Sequence, residues 1–157
     1  MAHWKKRETL FAEYGFRFAL PGHWQLRPSD EGDRWLYRSA DRKEQVTVIR
    51  AELPSGGNGE EAAMRRAVAR HRKTVELGFD REPDLEMTEF EFDERGGLPM
   101  AFYSGTADHE RHRFWALLLF SERTVWSFFY ETFSVPEAEA AARADAALQT
   151  VVFKEGR

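Results

Sequence analysis

Cysteine is absent from this chain, which removes disulfides, zinc–thiolate sites, iron–sulfur ligation and thiol catalysis together. Long apolar runs are also missing. The longest, Phe114 to Phe120, is seven residues, far short of the roughly 20 that a spanning helix needs. The start, Met1 to Glu8, is basic like a signal n-region, but Glu13 and Arg17 interrupt the stretch where an apolar h-region would follow. No excess of positive charge exists either. The net charge of −4 gives no global field to attract nucleic acid or an anionic membrane. These absences lead to the expectation of a cytoplasmic protein that neither binds nucleic acid nor inserts into a membrane.

What is present describes a globular domain. Hydrophobic residues make up 42% and charged residues 32% of 157, a balance that can bury a core without staples. No repeat, linker or composition shift divides the chain, so residues 1–157 are expected to form one domain. Aromatic content of 14%, mostly Phe, suits a sheet surface.

Periodicity supplies the elements. Residues 3–14 could open with a helical turn. Phe16, Phe18 and Leu20 alternate with Arg17 and Ala19 as a half-buried strand, stopped by Pro21-Gly22. Trp35 with Tyr37, and Val46 with Val48 and Ile49, mark two more strands, the latter closed by Pro54. Asn58, three before Glu61, has capping-box spacing for a helix from about Gly59 to Leu77, with Gly78 as its stop. Its apolar stripe is Met64, Val68, His71 and Val75. Four strands follow, at about 87–94, 100–108, 114–120 and 125–133. Short turns at Gly96-Gly97, 109–112 and Ser121-Glu122-Arg123 make them an antiparallel meander. Phe114–Phe120 is apolar on both parities and should lie centrally, covered on both faces. Ser134-Val135-Pro136-Glu137 reads as a capping box opening an Ala-rich helix to about Leu148. Small residues at 138, 141, 142 and 146 would let it lie close on a sheet, and 151–153 ends the chain as a short strand. The sum is an α+β chain with a mainly antiparallel sheet and helices packed on it.

Each chemical candidate has an ordinary reading beside it. Asp108-His109-Glu110-Arg111-His112 holds two histidines and two carboxylates, so His109 and His112 are the metal-ligand candidates; Arg111 would oppose a cation, and a solvated turn is the plainer reading. Gly56-Gly57-Asn58-Gly59 precedes a helix, but Glu60 and Glu61 stand where a phosphate-binding Lys-Ser/Thr would be needed. Arg65, Arg66, Arg70, Arg72 and Lys73 surround the first helix rather than forming one stripe, so a solvated face is expected. Glu89, Glu91 and Asp93 alternate with Phe90 and Phe92, which puts the carboxylates on one wet face rather than in a desolvated acid–base pair. Ser104 lacks a nucleophile elbow, though triads assemble in space. The aromatic load is the most informative feature. Trp115, Trp126, Phe128, Phe129, Tyr130 and Phe133 crowd two adjacent strands, and rings beyond what two helices cover would form a partner site. Trp35, Tyr37, Trp115, Trp126 and Tyr130 are the protein-interaction candidates.

The segment Phe16-Arg17-Phe18-Ala19-Leu20-Pro21-Gly22-His23-Trp24 resembles the F-x-L-P-x-x-W opening of the DcrB-like and PsbP-like (Mog/PsbP) proteins. Paired strands, a long helix, a meander, a capped Ala-rich helix and a short ending strand follow in the same order, from Gly15 to Phe153. The resemblance implies an α/β/α sandwich around a central antiparallel sheet. It also implies a protein that binds other proteins rather than catalysing, with no cofactor. One bacterial branch of the family consists of cytosolic, often dimeric chaperones for type VI secretion effectors. The expected function is therefore a non-enzymatic protein-interaction module, with a chaperone or adaptor for a secreted effector, and a homodimer, as its narrower forms. A small-ligand or metal-binding domain and a hydrolase are the alternatives.

Overall fold

Apolar side chains on both parities commit the run around Leu117 to the middle of a sheet. The computed structural model describes residues 6–11, 16–21, 24–27, 33–53 and 60–153. It places this run as β9 (His112–Ser121), between β8 (Leu98–Ala107) and β10 (Thr124–Phe133). Phe114, Ala116, Leu118 and Phe120 are buried in the core on one face, and Leu117 and Leu119 in the core on the other.

Beyond β10 the sheet continues through β5 (Glu44–Glu52), β4 (Arg34–Arg38) and β3 (Gln25–Arg27), every pairing antiparallel. On the other side of β8 the expected strand at 87–94 is broken in two: β6 (Glu86–Met87) pairs with the end of β8 and β7 (Glu91–Arg95) with its start. At the break the Thr88 hydroxyl accepts the Ser104 N–H at 3.0 Å, in place of a ladder carbonyl. The hairpin turns fall where glycine and short polar residues foresaw them. Gly96 and Gly97 both take positive φ in the two-residue turn between β7 and β8.

One face of the sheet is covered by α1 (Glu60–Gly78), which buries Ala63, Ala67, Val68 and Val75. Asn58, the expected cap, lies outside the described residues. The arginines of α1 do more than face water. Arg65 lies over the Phe92 ring at 5.1 Å, and Arg72 lies over Tyr103 at 4.9 Å while donating to the Thr88 carbonyl at 2.7 Å. The helix is thus clasped to the sheet edge by stems and guanidinium planes.

The opposite face carries α2 (Glu137–Leu148) and a second, three-stranded sheet of β1 (Lys6–Phe11), β2 (Phe16–Pro21) and β11 (Val152–Phe153). Phe18, Leu20 and Trp24 reach the core from this side. Three expectations change here. Residues 6–11 form a strand, not a helical turn, because β2 offers a full antiparallel register from Lys6↔Pro21 to Phe11↔Phe16. Ser134 is no cap: it sits at φ 58, its N–H donates to the Arg111 carbonyl, and the helix starts one residue beyond Pro136 with no side-chain cap. The buried face of α2 is Ala140, Ala144, Ala147 and Leu148, whereas Ala138, Ala141, Ala142 and Ala146 are exposed.

Candidate functional site

Because α2 and the small sheet lie over β5, β10 and part of β9, they leave the outer part of the same face uncovered. Leu98, Met100 and Phe102 of β8 pack only partly against the core, as does Trp115 of β9. Two hollows run beside α2 and share Trp115 and Ala141 in their walls, one of about 760 Å³ and one of about 250 Å³. The short Ala141 side chain keeps the helix wall low between them.

The narrower hollow is bounded by Phe102, Leu117 and Leu148, with Arg95 and Asp145 at its edge. Arg95 donates to the Leu148 carbonyl at 2.5 Å, satisfying a last-turn acceptor of α2. Burial pulls its guanidinium below the ordinary value, against the pull of Asp145.

The wider hollow is polar. Glu86, Glu110 and Glu137 line it with Arg113, beside Ser104 and Thr106. Arg113 points inward from β9 with its side chain only 13% exposed, and its Nη2 is 3.6 Å from Glu110. Its buried Nε has no acceptor among the described residues. That is an expensive arrangement for a guanidinium. Two local devices shape this end. Gly105 is obligatory, since a Cβ there would run into the Phe114 ring and lie 2.5 Å from the Glu86 carbonyl; its absence lets β6 close in. The tip that carries Glu110 is held by Asp84, whose carboxylate accepts the N–H of His109 at 2.6 Å and of Asp108 at 3.1 Å. Those bonds, the His109 one foremost, hold the Asp84 carboxyl below its ordinary range. Asp108, His109 and Glu110 all adopt positive φ, so this turn is strained without glycine.

Other polar clusters serve the architecture. Glu44 on β5 is buried, accepts the Tyr130 hydroxyl and pairs with Arg143 of α2, which also reaches Glu139. Burial, reinforced by Glu44, pushes the Tyr130 phenol far above its ordinary value. Burial pulls the Arg143 guanidinium down, but the Glu44 and Glu139 carboxylates outweigh it and leave it raised. On the α1 face, His112 Nε2 lies 2.9 Å from Glu131, its ring between Phe79 and Phe133 at 4.6 and 4.5 Å. Glu131 also accepts from Gln45 at 2.7 Å. A carboxylate-oriented imidazole is half of a general-base device, but among the described residues no hydroxyl is hydrogen-bonded to it.

The sequence candidates separate accordingly. His109 is 77% exposed and 3.9 Å from Asp84, while His112 belongs to the Glu131 cluster. The two histidines are not brought together, and among the described residues no three His, Cys, Asp or Glu side chains form a group able to hold a metal. Tyr37, Trp126 and Tyr130 are core residues, 4%, 3% and 1% exposed, because α2 and the small sheet cover the face they line. They are not contact surface in this fold. Trp35 is half-buried and stacks on Trp126 at 5.9 Å. Trp115, also half-buried, is the candidate that lines the groove. Ser104 lines it too, but no histidine does. Sequence reasoning passed over Arg113. Its one signal was a charge on the same strand parity as Trp115, Leu117 and Leu119.

No family model and no curated protein matches the chain. Solved structures do. The solution structure of cyanobacterial PsbP (CyanoP) from Synechocystis superposes with a TM-score of 0.77, at 15% identity over 97% of this chain and 94% of that one. This chain has a PsbP-like fold. The same fold relates it to PA94 of Pseudomonas aeruginosa, a protein of unknown function, with a TM-score of 0.53 at 13% identity over 96% and 99% of the two chains. LpqN of Mycobacterium tuberculosis, involved in cell envelope biogenesis, gives 0.54 at 10% identity over 98% and 92%. At such identities the PsbP-like likeness concerns the backbone alone. The groove beside α2 is argued from this chain's own side chains. Among the described residues no helix is long and apolar enough to cross a membrane.

Proposed function

We propose that this PsbP-like chain is a non-enzymatic module that binds another polypeptide in the groove between α2 and β8. The observation that carries the proposal is the half-buried pair of Phe102 and Trp115 left open beside the helix, with charged residues at both ends. An apolar strip rimmed by polar groups is the usual anatomy of a partner site. The family resemblance in the opening segment supports the narrower form, a cytoplasmic chaperone or adaptor for a secreted effector, acting as a homodimer.

A photo-crosslinking amino acid at Ala141, on the groove wall, should capture a polypeptide partner in cells. The same residue at Arg66, exposed on α1, should not. Equal capture at both positions, or none at Ala141, rules out this face. Sizing the purified chain and the captured complex tests the homodimer.

A further inference from the structure

We infer that the occupant of this groove is an extended polypeptide segment that places a basic side chain among Glu86, Glu110 and Glu137, with an apolar side chain beside it over Trp115. The inference rests on the reading of the groove as a polypeptide site and adds the chemistry of the partner.

Two unmet demands meet in the wider hollow. The first is for positive charge. Three carboxylates face one guanidinium, and among the described residues Glu86 and Glu137 have no cationic partner. Glu137 complements the dipole of α2 as a first-turn acid, but Glu86 has no such role, and Glu110 is held towards the hollow by a strained turn. The second demand is for an acceptor: the Arg113 guanidinium makes no hydrogen bond among the described residues, and its one charge contact is Nη2 to Glu110 at 3.6 Å. A bare anion would satisfy Arg113 but be repelled by three carboxylates. A bare amine would satisfy the carboxylates and leave the Arg113 guanidinium without an acceptor. A peptide supplies both, a backbone carbonyl for Arg113 and a lysine or arginine side chain for the carboxylates. The neighbouring surface fits the rest of such a segment. Trp115 and Phe102 offer an apolar floor, and a hollow of about 760 Å³ has room for a long basic side chain. In an extended segment, residues two apart point the same way, so the basic and apolar anchors should be spaced by two.

A phage-displayed library of random dodecapeptides, panned against the full chain, tests this. Enriched peptides should carry Lys or Arg two residues from a large apolar residue. A fluorescein-labelled synthetic peptide of the enriched sequence should lose affinity by about tenfold or more against the Glu86→Gln/Glu110→Gln double variant, and should bind more weakly as salt is raised. It should lose as much against Trp115→Ala, and against Ala141→Gln, which fills the groove from an exposed helix position. Unchanged thermal melts of the carboxamide and Ala141 variants separate lost binding from lost folding. Enrichment of acidic peptides, or full affinity for the carboxamide double variant, overturns the basic anchor while the Trp115 and Ala141 results still support the groove. Binding indifferent to both Trp115→Ala and Ala141→Gln overturns the groove itself. Displacement of the peptide by millimolar spermidine or inorganic phosphate alone, in a buffer of constant ionic strength, overturns the polypeptide assignment in favour of a small ion.

Discussion

Glu44 is 3% exposed, and a carboxylate that deep survives only with its oxygens satisfied. Tyr130 and Arg143 satisfy them, and Arg143 reaches in from α2, so one side chain both neutralises the carboxylate and ties the helix to the sheet. Such a pair adds little over a hydrophobic substitute, yet breaking it from one side strands a charge. Arg143→Met should therefore cost about 2–4 kcal/mol in urea unfolding, allowing for the partial exposure of Arg143. Glu139→Gln, which removes only the exposed partner, should cost under about 1 kcal/mol. Equal costs would mean that Glu44 is better solvated than its burial implies. Gly105 is a steric case. With the Glu86 carbonyl 2.5 Å from where a Cβ would stand, and the Phe114 ring also in contact, Gly105→Ala must push β6 outward or displace a core ring. A loss of about 1–3 kcal/mol is expected, with the largest increase in amide exchange at Met87. A neutral result would show that β6 moves freely.

At the scale of elements, α1 carries a pH-sensitive joint. His71 Nδ1 is 2.6 Å from the Tyr103 hydroxyl, and its ring meets Tyr103 and Phe129 edge-on, both at 5.8 Å. Burial lowers its pKa from 6.5 to about 4. The unfolded chain, with its histidine near 6.5, binds the extra proton between those values while the folded chain refuses it. This contribution to stability is therefore complete above about pH 6.5 and lost as pH falls towards 4. Urea melts at pH 7.5 and 4.5 should show the wild type losing about 1–3 kcal/mol more than His71→Gln. Parallel losses would place the ring in water. His71 also shows how far the sequence could be read. Its position on the stripe with Met64, Val68 and Val75 was legible because a helix repeats a face every 3–4 residues. The double-sided run of β9 and the paired glycines of the β7–β8 turn were legible for equally local reasons. The strand β1 was not, since Lys6, Arg7 and Glu8 carry no alternation and only the register with β2 makes them extended. Nor was the buried face of α2, because alanines surround that helix and the sheet alone chooses among them. The groove was half legible. An uncovered ring among the aromatic candidates was expected, but which ring depended on where α2 stops, and Arg113 gained meaning only once Glu86 and Glu137 came to face it from elements distant in sequence.

For the whole molecule, the eight-stranded sheet is the wall shared by two cores. One core holds Phe18, Trp24, Leu117 and Leu148 on the α2 side, and the other holds Val68, Tyr103, Phe114 and Leu118 on the α1 side. Neither cover is independent of the sheet. Strands β1 and β2 of the small sheet come from the opposite end of the chain to α2 and β11, and the two ends meet over β10, while α1 lies between β5 and β6 in sequence. Leu117 and Leu118 are neighbours on one strand yet belong to different cores, each 1% exposed. A cavity under either should weaken the common wall, so both covers should melt together. Leu117→Ala and Leu118→Ala are each expected to cost about 2–5 kcal/mol, and each variant should keep a single transition in which tryptophan fluorescence and far-UV circular dichroism coincide. Tryptophans 24 and 126 belong to the α2 side alone, so the two probes can tell the cores apart. If Leu118→Ala loosened α1 in a separate early step while the tryptophan signal held, the sheet would transmit nothing across its thickness, and the groove beside α2 would be insulated from α1.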